Sequence, residues 1–367
     1  MVMDMEITAA VLRDGDAPYS LERIELGGPG AGEVLVRIAA VGMCHSDALL
    51  RSQAFGAKLP IIPGHEGAGI VESVGAAVDG VKRGDHVVLT FDSCGLCRNC
   101  TENRPALCTA GRERNMVGWK ADGSSTATGT DGAPIGSRWF AQSSFATHAI
   151  ATSRNVVVVD PKLPLHVLAP LGCGIQTGAG AVLNSLDVQP GSSLAVFGAG
   201  AVGLAAVLAA VVAGAETIVA VDLHLERREL AVEFGATHVV DGAADDVARQ
   251  VRKLTNGGAD YAIDATGVPR VAETAIASTR VGGACALAGV LTGPLSLKPM
   301  ALTGKSVTGV LEGDSVPQEF IPRLIDLWSA GRLPIERFIE QFPLSAINDA
   351  EEASLSGRVV KPVLIPG

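Results

Sequence analysis

The chain has no excess of basic residues, no uninterrupted apolar run of membrane-spanning length and few aromatics. Each shortage removes a class of function or narrows one. With 29 Lys and Arg against 39 Asp and Glu the net charge is −10, and no basic cluster offsets it, so nucleic acid is excluded as a partner. The longest apolar stretch, Ala195 to Ala213, is broken by Gly198, Gly200 and Gly203 and reads as strand, turn and helix. No membrane partner is expected. The opening Met-Val-Met-Asp-Met-Glu-Ile lacks the basic region and apolar block of an export signal. A cytoplasmic protein is therefore expected, in a reducing compartment where closely spaced cysteines favour metal over disulfides. Aromatics make up only 4% of residues, which makes the group Trp139, Phe140 and Phe145 stand out.

What is present suggests two domains, for which 367 residues suffice. Up to about residue 150 the chain reads as β-rich. Runs such as Glu33 to Val41 and His86 to Thr90 are strand-like and are separated by Gly and Pro. From Ser192 strands alternate with helices: strand Ser193–Phe197, helix Ala201–Ala213, strand Thr217–Asp222, helix Leu225–Phe234. Strand-like runs at His238–Asp241, Tyr261–Asp264 and Ala284–Ala288 continue the alternation. That rhythm indicates an α/β doubly wound parallel sheet. A helix over Glu319–Ala330 and a last strand, Lys361–Ile365, close the chain, and residues 120–136 read as a polar surface loop. There is no internal repeat.

Six of the seven cysteines carry the chemistry or stand near it. Cys94, Cys97, Cys100 and Cys108 are four thiols on one short segment, the spacing of a closed four-thiolate zinc site that leaves no room for a substrate. Arg98 and Arg104 are nearby cations to offset its charge. Cys44, His65 and Cys173 are far apart in sequence, and on residue type alone each fits a simple core position. Together they form a two-thiolate, one-imidazole set with an open fourth position, as a Lewis-acid catalyst needs. Cys285, between Ala284 and Ala286, reads as a small buried hydrophobe.

Gly198-Ala-Gly-Ala-Val-Gly203 follows one strand and opens a helix, and Asp222 ends the next strand. Glycines that let backbone approach a pyrophosphate, a helix N-terminus, and an acid for the ribose hydroxyls make a dinucleotide site. Asp222 would repel a 2′-phosphate, so NAD is favoured over NADP, a preference that Arg227 nearby tempers only slightly.

Five motifs in order, Gly42-Met-Cys-His-Ser-Asp47, Pro63-Gly-His-Glu-Gly67, the cysteine lobe, Gly172-Cys-Gly-Ile-Gln-Thr-Gly178 and Gly198–Gly203, cover essentially the whole chain. It resembles the zinc-dependent alcohol dehydrogenases of the medium-chain dehydrogenase/reductase superfamily, most of all the aryl- (benzyl-) alcohol branch. The resemblance implies a GroES-like catalytic domain over 1–175 and 318–367 holding both zinc sites, and a Rossmann domain over 176–317. It implies two Zn²⁺ per subunit, a catalytic one on Cys44, His65 and Cys173 and a structural one on the lobe, with NAD as cosubstrate. Asp47 would orient His65, Glu66 would lie behind the metal, and Ser46 would hydrogen-bond the alcohol. His45 and Thr177 would contact the cofactor, Val202 would back the nicotinamide, and Lys361 would reach the pyrophosphate. Hydride would leave a zinc-bound alkoxide. Relatives are homodimers or homotetramers, and Ser306–Val310 is a candidate pairing strand.

Leu49 stands where animal enzymes of the family carry a relay histidine, which leaves the proton exit to a cofactor hydroxyl and water or to His45. Phe91, Trp139 and Phe140 are expected as pocket wall, which suits flat aromatic primary alcohols. Allylic terpenols such as geraniol are the neighbouring alternative. A thiol–formaldehyde adduct dehydrogenase is a further one, with Arg112 as its anion contact. A non-catalytic binding protein on the same fold would have lost a zinc ligand, and none is lost here.

Overall fold

The computed structural model describes residues 4–52 and 56–367. The first three residues, part of the stretch read above for an export signal, lie outside that range. Strands β1 (Met5–Val11), β2 (Ser20–Leu26), β3 (Glu33–Gly42), β4 (Glu66–Val74) and β5 (His86–Leu89) come first. Then follow β6 (Ala127–Gly129), β7 (Pro134–Ile135), β8 (His148–Thr152) and β9 (Val156–Val159). The alternating unit holds β10 (Ser193–Phe197), β11 (Thr217–Asp222), β12 (His238–Asp241), β13 (Ala259–Asp264), β14 (Thr279–Leu287) and β15 (Ser306–Gly309). Strands β16 (Ile339–Pro343) and β17 (Lys361–Ile365) end the chain.

Two compact units result. The first comprises Met1–Cys173, Val316–Ile325 and Ile335–Gly367; the second comprises Gly174–Ser315 and Asp326–Pro334. The return of Asp326–Pro334 to the second unit departs from the expected 318–367 segment. Within that unit Arg332 donates from Nη2 to the Val212 carbonyl at 3.3 Å.

In the first unit, a sheet of order β16-β17-β3-β4-β5-β9, with β8 also on β3, carries the core. Val34, Val36, Ile38 and Val41 of β3 pack there with Val71, Val87 and Leu89. β-branched residues suit such a pleated, covered surface. Residues 120–136, expected as a loop, instead supply β6 and β7 to a second sheet of order β1-β2-β6-β7. Ala127 and Ile135 are buried within this polar stretch, and Asp131 shapes the hairpin by accepting from the Ala133 amide at 3.0 Å.

The second unit is a six-stranded parallel sheet of order β12-β11-β10-β13-β14-β15. Four helices, Ala201–Ala213, Leu225–Glu233, Val247–Leu254 and Pro269–Ser278, make the crossovers that parallel pairing demands. Strand order reverses between β10 and β13, so the carboxyl end of β10 opens at a topological switch point, where such sheets bind ligands.

Candidate active site and metal centres

Three separated elements bring Cys44, His65 and Cys173 together. Cys44 follows β3 and caps the short helix His45–Ala48 in extended geometry. His65 immediately precedes β4. Cys173 ends the turn Ala169–Gly172, which is tied to the sheet by Thr90 Oγ1 donating to the Gly172 carbonyl at 2.7 Å. One ligand atom from each lies within 4.8 Å of the other two. His65 Nδ1 is hydrogen-bonded to Asp47 Oδ1 at 2.8 Å, while its buried Nε2 has no hydrogen-bond partner among the described residues. An orphaned imidazole nitrogen facing two thiols is costly unless something accepts its lone pair. The Cys173 thiol chiefly, helped by His65 and against the effect of burial, holds the Cys44 thiol well below its ordinary range. Two sulfur donors and one imidazole nitrogen fit zinc with one position left open.

Asp47 is the hub behind this site. Its Oδ1 also accepts from the Gly64 amide at 3.0 Å and from the Trp139 indole at 2.9 Å, and its Oδ2 accepts from the Cys44 amide at 3.2 Å. Ser46 is half-buried and His45 exposed on the helix that Cys44 opens, with Leu49 half-buried just beyond.

Glu66 is fully buried, and Lys361 Nζ donates to both its oxygens at 3.0 and 2.9 Å and to the Met43 carbonyl at 2.9 Å. Burial pushes Glu66 up to about 7, with the Lys361 charge opposing it. The expectation that Lys361 reaches the pyrophosphate is corrected here. All three ammonium protons are engaged and the residue is 2% exposed.

The three aromatics expected as pocket wall are all buried. Trp139 is 0% exposed, and Phe140 stacks on the His65 ring with centroids 4.3 Å apart. Phe145 packs edge-on to Tyr19. Trp139 and Phe140 therefore surround the imidazole, and Phe91 is buried too. Arg112 is exposed on the helix Gly111–Asn115.

In the cysteine lobe the four sulfurs converge, with Cys94 to Cys100 at 3.9 Å and Cys97 to Cys100 at 3.6 Å, too far apart for S–S bonds. Backbone amides supply the compensating dipoles. Leu96 and Cys97 donate to the Cys94 sulfur at 3.4 and 3.3 Å, and Cys94 donates to the Cys108 sulfur at 3.3 Å. Arg98, expected to help, is committed to Glu102 at 2.7 Å and lies in solvent. The set fits a closed tetrahedral ion. Cys285 is buried in β14, and burial pushes its thiol up to about 12, as an inert core thiol requires.

In the second unit Gly198 turns the chain at φ +90° after β10. A side chain on Gly203 would strike the Gly198 carbonyl oxygen, so glycine is needed for the helix to approach the turn. At Gly200, by contrast, a Cβ would meet nothing within 4 Å, which leaves an open cradle at the N-terminus of helix Ala201–Ala213. Asp222 Oδ2 accepts from the Ala199 amide at 2.6 Å and Oδ1 from the His224 amide at 2.8 Å, leaving lone pairs for two hydroxyls. These residues fit a dinucleotide. Val202 lies in the first turn of the same helix and Thr177 is buried in Gly174–Gly180. Arg227 is half-buried, its Nε without a partner among the described residues. Its neighbour Arg228, which sequence reasoning passed over, braces the end of β11 by donating to the Asp222 carbonyl at 2.7 Å.

The family profile for the alcohol dehydrogenase GroES-like domain matches residues 30–161, and that for zinc-binding dehydrogenases matches 201–330. The chain belongs to the zinc-dependent medium-chain alcohol dehydrogenases. A geraniol dehydrogenase of Castellaniella defragrans is 45% identical over 363 residues, 97% of each chain. The class-3 alcohol dehydrogenase of Myxine glutinosa is 36% identical over 97% of this chain and 96% of its own. The crystal structure of benzyl alcohol dehydrogenase from Acinetobacter calcoaceticus shares 38% identity at a TM-score of 0.94, covering 99% of this chain and 100% of that one.

Also outside the sequence reading were Arg51, Tyr19 and Glu351. Arg51 binds Glu351 through Nε at 2.9 Å and Nη2 at 2.6 Å, while its guanidinium lies 4.7 Å over the Tyr19 ring. No sequence signal marks them, because Glu351 lies 300 positions from Arg51 and 332 from Tyr19.

Proposed function

We propose that this alcohol dehydrogenase performs the reversible NAD-dependent oxidation of primary benzyl-type alcohols to aldehydes. The observation that carries the reaction class is the convergence of Cys44, His65 and Cys173 around an orphaned Nε2. Likeness to a benzyl alcohol dehydrogenase supports the aryl substrate. Likeness to a geraniol dehydrogenase equally supports a second reading, allylic terpenols. Both classes place a π-system beside the carbinol carbon.

Cys44, His65 and Cys173 would hold the catalytic zinc, and Cys94, Cys97, Cys100 and Cys108 a structural one, two per subunit. A bound zinc polarises the substrate oxygen and lowers the hydroxyl pKa. NAD⁺ would occupy the Gly200 cradle with Asp222 on its ribose, and it supplies the hydride acceptor. Ser46 would take the hydroxyl proton and pass it on without an imidazole at position 49. Asp47 keeps the His65 ring in place throughout. Glu66, tied down by Lys361, closes the back of the site.

We also propose a homo-oligomer. β15 is an edge strand with no strand on its outer side among the described residues, and Val281, Met300 and Leu302 are exposed. Light scattering on purified protein tests this, and a monomer would refute it.

The functional test is kcat/KM with NAD⁺ for benzyl alcohol, geraniol and ethanol, together with metal content. A preference of about a hundredfold for benzyl alcohol over ethanol, roughly 2.7 kcal/mol of transition-state binding, supports the aryl reading. The same preference for geraniol alone moves the assignment to allylic alcohols. Turnover confined to S-(hydroxymethyl)glutathione overturns both.

A further inference from the structure

We infer that Trp139 is a positioning residue of the catalytic metal centre: its indole N–H orients Asp47, and through Asp47 the ligand His65. The inference rests on reading Cys44, His65 and Cys173 as that centre.

A single carboxylate oxygen, Asp47 Oδ1, is met by three donors at 2.8–3.0 Å: His65 Nδ1, the Gly64 amide and Trp139 Nε1. Two belong to the segment carrying the ligand itself. The third comes from a chain position 92 residues away and is the only side-chain donor among them besides the ligand. The backbone that carries the indole is itself fixed. The Trp139 amide donates to Ser143 Oγ at 2.9 Å, and Ser143 Oγ donates to the Ile62 carbonyl at 2.6 Å, just upstream of His65. Its ring lies edge-on to His65, centroids 6.3 Å apart at 87°, while Phe140 stacks on the imidazole at 22°. The imidazole thus has one aromatic against its face, another at its edge, and a carboxylate on Nδ1 that the second aromatic holds. Trp139, Asp47 and His65 are all essentially unexposed, so no bulk water stands ready to replace a lost donor. With the indole N–H removed, Asp47 keeps two of three contacts on Oδ1 and gains freedom to rotate. His65 Nε2 would then no longer be aimed at one point. Partners behind a metal ligand are typically worth about 10–100-fold in metal affinity or activity.

A competing view is that Asp47 merely satisfies a buried indole that fills the core. The test uses the zinc-loaded full chain with Trp139→Phe, with Trp139 replaced by benzothienylalanine (an isostere with sulfur in place of N–H), and with Ile24→Ala as a packing control in the same core. Readouts are zinc loss to a chelator, resolved from the cysteine-lobe ion, the visible d–d spectrum after cobalt replacement of the catalytic ion, and the melting temperature. Expected are catalytic zinc affinity lower by about tenfold or more in both Trp139 variants, an altered cobalt spectrum and an unchanged lobe. Ile24→Ala should lower the melting temperature and leave both metal readouts alone. Should Trp139→Phe fail to fold, the isostere carries the test, because its shape is kept. Unchanged metal affinity and spectrum in the isostere overturn the inference, as does an equal loss of metal in Ile24→Ala. A wild-type chain that binds no second zinc would instead refute the metal centre itself.

Discussion

Lys361 illustrates how much one buried charge decides. Its ammonium is matched to Glu66 and to one carbonyl, in a place where neither charge meets water. Removing one member strands the other, at a cost of about 3–5 kcal/mol. Lys361→Met is therefore expected to lower the urea midpoint sharply, and because Nζ has no donor left for a phosphate, KM for NAD⁺ should stay unchanged. A large rise in that KM with intact stability would return Lys361 to the cofactor.

Among elements, the segment bearing Cys44 is held at both ends. Its start hangs on β3 and on Asp47. Its end is clamped by Arg51 to Glu351 of the helix Ile347–Leu355, and to the carbonyls of Gly15 and Ala17. Glu351→Gln replaces a charged acceptor with a neutral one. The expected loss is about 1–2 kcal/mol, reduced by the partial exposure of Arg51. Hydrogen exchange of amides 45–52 should rise with it; protection equal to the parent would show the clamp to be idle.

In the parallel sheet, Asp260 joins β10 to β14. Burial alone would raise its pKa, but hydrogen bonds from the Ser193 hydroxyl and amide and then the Arg280 guanidinium outweigh it, so the carboxyl lies below its ordinary value. A folded-state pKa below the unfolded one means stability that is present above about pH 4 and lost as pH falls through the lowered value. Asp260→Asn should make the acid limb of the melting curve shallower, whereas an unaltered limb would assign acid sensitivity elsewhere.

At the scale of the whole molecule, each unit has a core of its own, one around Val36 and Leu89, the other around Phe197 and Ala262. Ligand binding to the second unit is therefore expected to stabilise it by mass action. NAD⁺ at a hundred times its Kd contributes about 2.7 kcal/mol, seen as a rise in melting temperature, and NADP⁺ should give less because of Asp222. No shift with either would refute the dinucleotide reading.

The elements were legible because their signals are local. The alternation of β-branched runs with Ala-rich stretches marks β10, β11 and the helix Ala201–Ala213, and four cysteines on one short segment show their chemistry by spacing alone. Residues 120–136 misled because a polar, Gly-rich composition hides a short hairpin that is held by a remote partner, β2. The catalytic triple became legible only through family resemblance, since Cys44, His65 and Cys173 share no spacing.

By itself, then, the sequence determined the fold class, the glycine turn with its acid, and the four-cysteine lobe, with the second ligand set following from the family resemblance. Only tertiary structure decided that Trp139 meets Asp47 across 92 positions, and that Lys361 meets Glu66 across 295 positions rather than a phosphate. The reason is physical: periodicity and spacing record whether a residue is buried, but which donor meets which acceptor is settled by chain crossings that no local pattern encodes.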